Sequence, residues 1–81
     1  MKLTMGKAGG RYIVSDVSLR KDTENRLEAL GLISGSYVEI ISRKHSGTMI
    51  IRIRGTRFAI GKDIADGIIF EGDNADDRDK R

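Results

Sequence analysis

Eighty-one residues leave room for one domain, and a chain this short buries only about 60% of its unfolded surface, so its core must be a single small cluster. The absence of cysteine excludes disulfide staples and thiolate metal sites, and no apolar run reaches the length of a signal peptide or a membrane span, which points to a soluble, cytoplasmic protein. The net charge of +3 is unevenly spread: residues 1–70 carry twelve Lys/Arg against seven Asp/Glu, and residues 71–81 carry three against five, so a basic body (+5) precedes an acidic-leaning end (−2) and admits an acidic partner such as nucleic acid, an anionic membrane surface or an acidic protein face.

The segment GRYIVSDV predicts a first strand over about 11–17, with Tyr12, Val14 and Val17 as its β-prone residues. SLRKDTENRLEALG then supplies helix formers. Asp22 or Thr23 is suited to cap the helix start, and Glu24 lies near the positive end of the dipole. About two turns are too few for stability alone, so packing of Leu27 and Leu30 on the core is expected to hold this helix. Gly31 is suited to the left-handed residue that stops it, with Leu32 and Leu27 supplying the apolar contact that accompanies such a stop. Gly35, third in Ile33-Ser34-Gly35-Ser36, suits a turn with positive φ that throws the chain into the next strand.

From Tyr37 the alternation predicts a second strand, with Val38 and Ile40 on one face and Tyr37, Glu39, Ile41 and Arg43 on the other. In the third strand Met49, Ile51 and Ile53 share a face, opposite Ile50, Arg52 and Arg54. A two-residue turn at Ser46-Gly47 would pair Lys44 with Met49, Ser42 with Ile51 and Ile40 with Ile53, and would set Glu39 against Arg54. TRFAI predicts a fourth strand with Phe58 and Ile60 inward. GKDIADG follows as a tight turn or one helical turn carrying Ile64 and Ala65, and IIF as a fifth strand. Residues 72–81 form a charged tail after a domain spanning 1–71, and the run from Glu71 is expected to be disordered, Ala75 being its one apolar residue. Met1, Met5 and Met49 read as an initiator, a segment packing on the barrel end and a core filler. Five short strands, with one brief helix between the first two, predict a mainly-β fold: a small barrel whose closure would dispose of its sheet edges.

The pattern Arg26-Leu27, Leu30-Gly31-Leu32, Gly35, Val38 and Ile40, followed by Ile51 to Gly55, Ala59-Ile60, Ala65 and Ile68, resembles the FeoA family from about Gly10 to Phe70. The resemblance implies an SH3-like barrel, a cytoplasmic location and a role in bacterial ferrous iron transport. It also implies a partner, the cytoplasmic part of FeoB, a membrane transporter with a G-protein domain. Two departures stand out: Ser34-Gly35 occupies the corner where the family often has Pro-Gly, and Gly61-Lys62 follows the fourth strand where a basic residue is common. Similar domains occur in DtxR-type metal-dependent repressors, so transcriptional regulation is an alternative, with the short length favouring transport.

The side-chain chemistry points away from catalysis, because the one imidazole, His45, sits on a hairpin turn with no nucleophile to serve. One histidine, no cysteine and acids such as Asp73, Asp76, Asp77 and Asp79 at the chain end do not make a preformed ferrous-iron site, and no cofactor is implied. Arg43, Lys44, Arg52, Arg54 and Arg57 would give a nucleic-acid groove its charge. Tyr12, Phe58 and Phe70 are needed inside, however, leaving only Tyr37 to stack on bases. The outward residues Tyr37, Ile41, Arg43, Ile50 and Arg52 have instead the composition of a protein-binding surface, apolar side chains framed by arginine.

Overall fold

Alternating burial marks the strands. The computed structural model describes residues 1–71; the charged segment expected to be disordered, 72–81, lies outside the described residues. Strands β1 (Arg11–Val17), β2 (Tyr37–Arg43), β3 (Met49–Ile53), β4 (Thr56–Ile60) and β5 (Ile68–Phe70) form one antiparallel sheet in the order β4-β3-β2-β1-β5. Helix α1 (Lys21–Ala29) joins β1 to β2, and the short α2 (Lys62–Asp66) joins β4 to β5. The first half of β1 pairs with β2 and the second half with β5, with a register shift between Val14 and Asp16 where the strand turns between the two halves of the sheet. Val38, Ile40, Met49, Ile51 and Ile53 fill the space inside, and the Tyr12 and Phe70 rings meet there at 4.3 Å between centroids.

The helix-to-strand corner follows the sequence expectation closely. Gly31 has φ of +101°, its N–H donates to the Glu28 carbonyl, and the Leu32 N–H reaches back to the Leu27 carbonyl at 2.9 Å. Those two bonds satisfy carbonyls that the helix end would otherwise orphan, and Leu27 and Leu32, both buried, supply the apolar contact. Gly35, at φ +93°, is the third residue of a turn closed by Ser36 N–H to the Ile33 carbonyl. The same turn is fastened to β1, because Gly35 N–H donates to Val14 O and Val14 N–H to Ser36 O.

Leu30, expected in the core, is the residue at the helix stop and is 44% exposed; Leu32, one step beyond the left-handed Gly31, takes its place inside. The helix starts at Lys21 without a side-chain cap, so Asp22 and Thr23 lie within its first turn, and Glu24 reaches back to accept from the Leu19 N–H at 3.1 Å. At the N-terminus Leu3, within the 3-10 turn Leu3–Met5, is fully buried, whereas Met5 is 64% exposed, so Leu3 does the packing assigned to Met5.

The β2–β3 register differs from expectation. The loop has three residues, His45 to Gly47, closed by Lys44 N–H to Thr48 O, with Gly47 left-handed at φ +97°. This pairs Arg43 with Met49 and Ser42 with Ile50. A register shift at Ile41 then pairs Ile40 with Ile51 and Glu39 with Arg52, in place of Ile53 and Arg54.

Closure is also partial, because β4 and β5 end the strand order and do not pair with each other. The outer side of β5 is covered by main chain: Met1 N donates to Phe70 O, Phe70 N donates to Met1 O, both at 2.7 Å, and Lys2 bridges to Ile69. On the outer side of β4 no strand lies alongside among the described residues.

Candidate functional site

The sheet's outward face over β1 to β4 gathers most of the residues singled out in the sequence. Because Cα partners in a ladder share a face, Arg11, Glu39, Arg52 and Arg57 form one row across four strands. Arg52 Nε and Nη2 both donate to Glu39 Oε1, at 3.1 and 2.9 Å, with the carboxylate about one-third exposed. Arg52 thus faces Glu39 on one side and another arginine, Arg57, on the other. In a neighbouring row Ser42, Ile50 and Ala59 stand together, with Ile50 half-buried.

Tyr37 is 46% exposed, pairs with Ile13 and carries the Arg11 guanidinium over its ring at 4.4 Å. It also borders an open groove of about 470 Å³ lined by the corner residues Ile33 to Ser36 and by Arg54. Three hydrogen bonds shape that corner: Ser36 Oγ donates to Gly31 O at 2.8 Å, Ile33 N–H donates to Ser36 Oγ at 3.2 Å, and Ser34 Oγ donates to Ser15 O at 3.0 Å. Ile33 is exposed there beside Tyr37, and the Arg54 stem runs past Gly31 so closely that a Cβ on that glycine would lie 2.9 Å from Arg54 Cδ.

Of the five residues expected to bind a partner, Tyr37, Ile50 and Arg52 share the outward face. Ile41 occupies the bulge, half-buried and without a Cα partner on β3. Arg43 leaves the group: its partner is the buried Met49, and its Nη1 donates to the Gly6 carbonyl at 2.8 Å. Sequence reasoning did not single out Arg11 or Ile33 for this surface, nor did it pair Arg57 with Arg52. The signal for that pair was Arg54-Gly55, a two-residue turn with positive φ at both positions (54° and 82°), which fixes Ile53 opposite Thr56 and so Arg52 opposite Arg57.

Other clusters are sparse. Among the described residues no group of three or more His, Asp or Glu side chains converges as ligands for one metal ion. Asp16, Glu24 and Glu28 line a small open cleft of about 160 Å³ behind α1. At the opposite end, the Thr4 hydroxyl donates to Asp66 Oδ1 at 2.8 Å and Lys62 Nζ donates to Oδ2 at 3.2 Å. These two bonds, Thr4 first, hold the Asp66 carboxyl below the usual carboxylate range. No helix among the described residues is long and apolar enough to cross a membrane.

A family model described as the FeoA domain matches residues 1–71. An iron uptake regulatory protein (FeoA) of known crystal structure is 27% identical, with a TM-score of 0.78 over 86% of this chain and 93% of that one. The FeoA protein of Chlorobium tepidum, solved in solution, is 28% identical, with a TM-score of 0.81 over 93% of this chain and 75% of that one. The zinc complex of Stenotrophomonas maltophilia FeoA, a prokaryotic SH3 domain protein, is 22% identical, with a TM-score of 0.75 over 88% of this chain and 89% of that one, which identifies the fold as SH3-like. The same fold occurs in a manganese-dependent transcriptional repressor, 17% identical with a TM-score of 0.76, where 84% of this chain covers 39% of the longer protein. No curated protein sequence matches the chain.

Proposed function

This chain belongs to the FeoA domain family, and from that membership we propose that it is a non-enzymatic interaction module of the cytoplasm, accessory to a ferrous iron transporter of the FeoB type. The partner is the transporter's cytoplasmic G-protein domain, and the contact surface is the outward sheet face around Tyr37, Ile50 and Arg52, with Ile41 beside it. The observation that carries this reading is the half-buried Ile50 in the row of small neighbours Ser42 and Ala59, with the arginine row beside it and the Tyr37 ring, under Arg11, beyond that row. An isoleucine among small side chains, with arginines beside it and a tyrosine beyond them, is the composition of an interface centre with a charged rim. Such a module alters nucleotide turnover only by binding one conformational state of its partner better than another.

Ile50→Asp tests the reading by placing a charge at the centre of this surface. Thermal melting establishes first that the variant folds, which is expected because Ile50 already meets solvent. Binding to the isolated G-domain and to the full transporter is then compared for wild type and variant, each with GDP and with a non-hydrolysable GTP analogue. A nucleotide-dependent affinity lost in the variant supports regulation, and a nucleotide-independent affinity lost in the variant supports assembly. A folded variant that binds as well as wild type rejects this face, and the corner from Arg26 to Leu32 becomes the surface to test.

A further inference from the structure

We propose that the free edge of β4 takes up an extended acidic segment of a partner protein as an additional strand of the sheet, with Arg57 selecting it. Three observations carry this. The first is an asymmetry between the two ends of the sheet: the β5 edge is occupied by Met1 and Lys2 through main-chain bonds, whereas the β4 edge has no strand beside it among the described residues. The second is main-chain polarity. The two-residue turn makes Ile53 and Thr56 the first hydrogen-bonded pair, so Phe58 and Ile60 turn their N–H and C=O groups to β3, while Arg57 and Ala59 turn theirs outward. Both outward-turned residues are exposed, the condition for strand addition.

The third observation is charge. The row across the sheet reads Arg11, Glu39, Arg52, Arg57, and its last two members are like charges directly opposite each other, an unfavourable cross-strand pair. Glu39 answers Arg52 from the β2 side, and no ion pair joins Arg57 to an acid among the described residues. A glutamate or aspartate on an added strand opposite Arg57 would meet that unanswered charge, and an apolar residue beside the acid would fall next to the half-buried Phe58. The same arginine disfavours a second copy of this chain at the edge, since its own β4 would bring another arginine. A charged edge residue therefore acts as a filter: it blocks most strands and admits acidic ones.

The test uses the full chain and short capped peptides that alternate valine with glutamate, with lysine in place of glutamate as one control and a proline-interrupted acidic peptide as the other. Amide shifts and hydrogen exchange are read residue by residue. The acidic peptide is expected to protect the Arg57 and Ala59 amides, and both controls are expected to leave them unprotected. Arg57→Glu should fold, since it removes the like-charge pair. It should weaken the acidic peptide by about tenfold or more and gain affinity for the lysine peptide. The proposal is overturned if the acidic peptide at millimolar concentration leaves those two amides unprotected, or if Arg57→Glu keeps the original preference. It is also overturned if the amides become protected by raising the protein concentration alone, which would make a second copy the occupant. None of these outcomes touches the Ile50→Asp comparison, which probes the sheet face rather than its edge.

Discussion

Gly31 is required for two separable reasons: its backbone is left-handed, and the Arg54 stem lies where a side chain would begin. Gly35 shares only the first reason, because a Cβ there would meet nothing within 4 Å. Comparing the two alanine variants therefore isolates the packing contribution. Gly35→Ala is expected to lose about 1–2 kcal/mol, the left-handed penalty for a residue with a Cβ. Gly31→Ala should lose that much and somewhat more, limited by how readily the Arg54 stem swings aside. Urea midpoints measure both, and an unchanged midpoint for Gly31→Ala would contradict the account of the corner. This corner was the most legible part of the chain, because the pattern Leu27, Gly31, Leu32 encodes a local motif whose hydrogen bonds span only six residues. Leu30 was misread for the opposite reason. Helical spacing put it on the Leu27 face, but the helix had already ended, so a tertiary boundary one residue away decided its burial.

At the scale of elements, the hairpin shows how a sequence pattern can give the right faces from the wrong partners. The expected two-residue turn is a three-residue loop, which moves the register by one, and the bulge at Ile41 moves it by one more. Strand side chains repeat with period two, so the two shifts restore Val38, Ile40, Met49, Ile51 and Ile53 to the core, while Glu39 meets Arg52 instead of Arg54. Ser42 and Arg43, lying between loop and bulge, feel a single shift, and Arg43 is the candidate site residue that left the outward face. Period-two alternation is legible in a single chain; a bulge is fixed by the partner strand and leaves no local mark.

A further element-level junction, tied by side chains, joins the N-terminal turn to α2 through Thr4 and Asp66. The carboxyl of Asp66 is held below its ordinary range chiefly by the Thr4 hydroxyl, so the native state favours the ionised form. That stabilisation is present in full above the pKa of an unfolded aspartate, about 3.9, and is lost as pH falls through the lower native value. Chemical denaturation of wild type and Asp66→Asn from neutral to acid pH should show a stability difference that shrinks toward low pH. Thr4→Val should reduce the same pH dependence while leaving the carboxyl in place. A difference independent of pH would mean that the Asp66 charge contributes nothing to the fold.

For the whole molecule, residues 1–71 hold twelve basic and eight acidic side chains, so the described body carries +4, and charge alone would admit nucleic acid as readily as an acidic protein. The arrangement of the aromatic side chains separates the two. Tyr12 and Phe70 pack against each other inside, Phe58 packs against the core, and the one well-exposed ring, Tyr37, already has a guanidinium over it. Arg52 is committed to Glu39 by two hydrogen bonds, which removes the middle of the basic row from any phosphate. A surface with dispersed charge and no free stacking platform lacks what single strands require, and the row holds too few uncommitted arginines to follow a duplex backbone. Neither duplex nor single-stranded DNA or RNA is therefore expected to bind at low salt and high micromolar protein, by anisotropy of labelled strands. If strands did bind, the salt dependence would count the contacts, at about −0.9 in the log–log slope for each duplex phosphate neutralised. A steep slope abolished by reversing Arg11 and Arg57 together would transfer the basic row from a protein partner to nucleic acid.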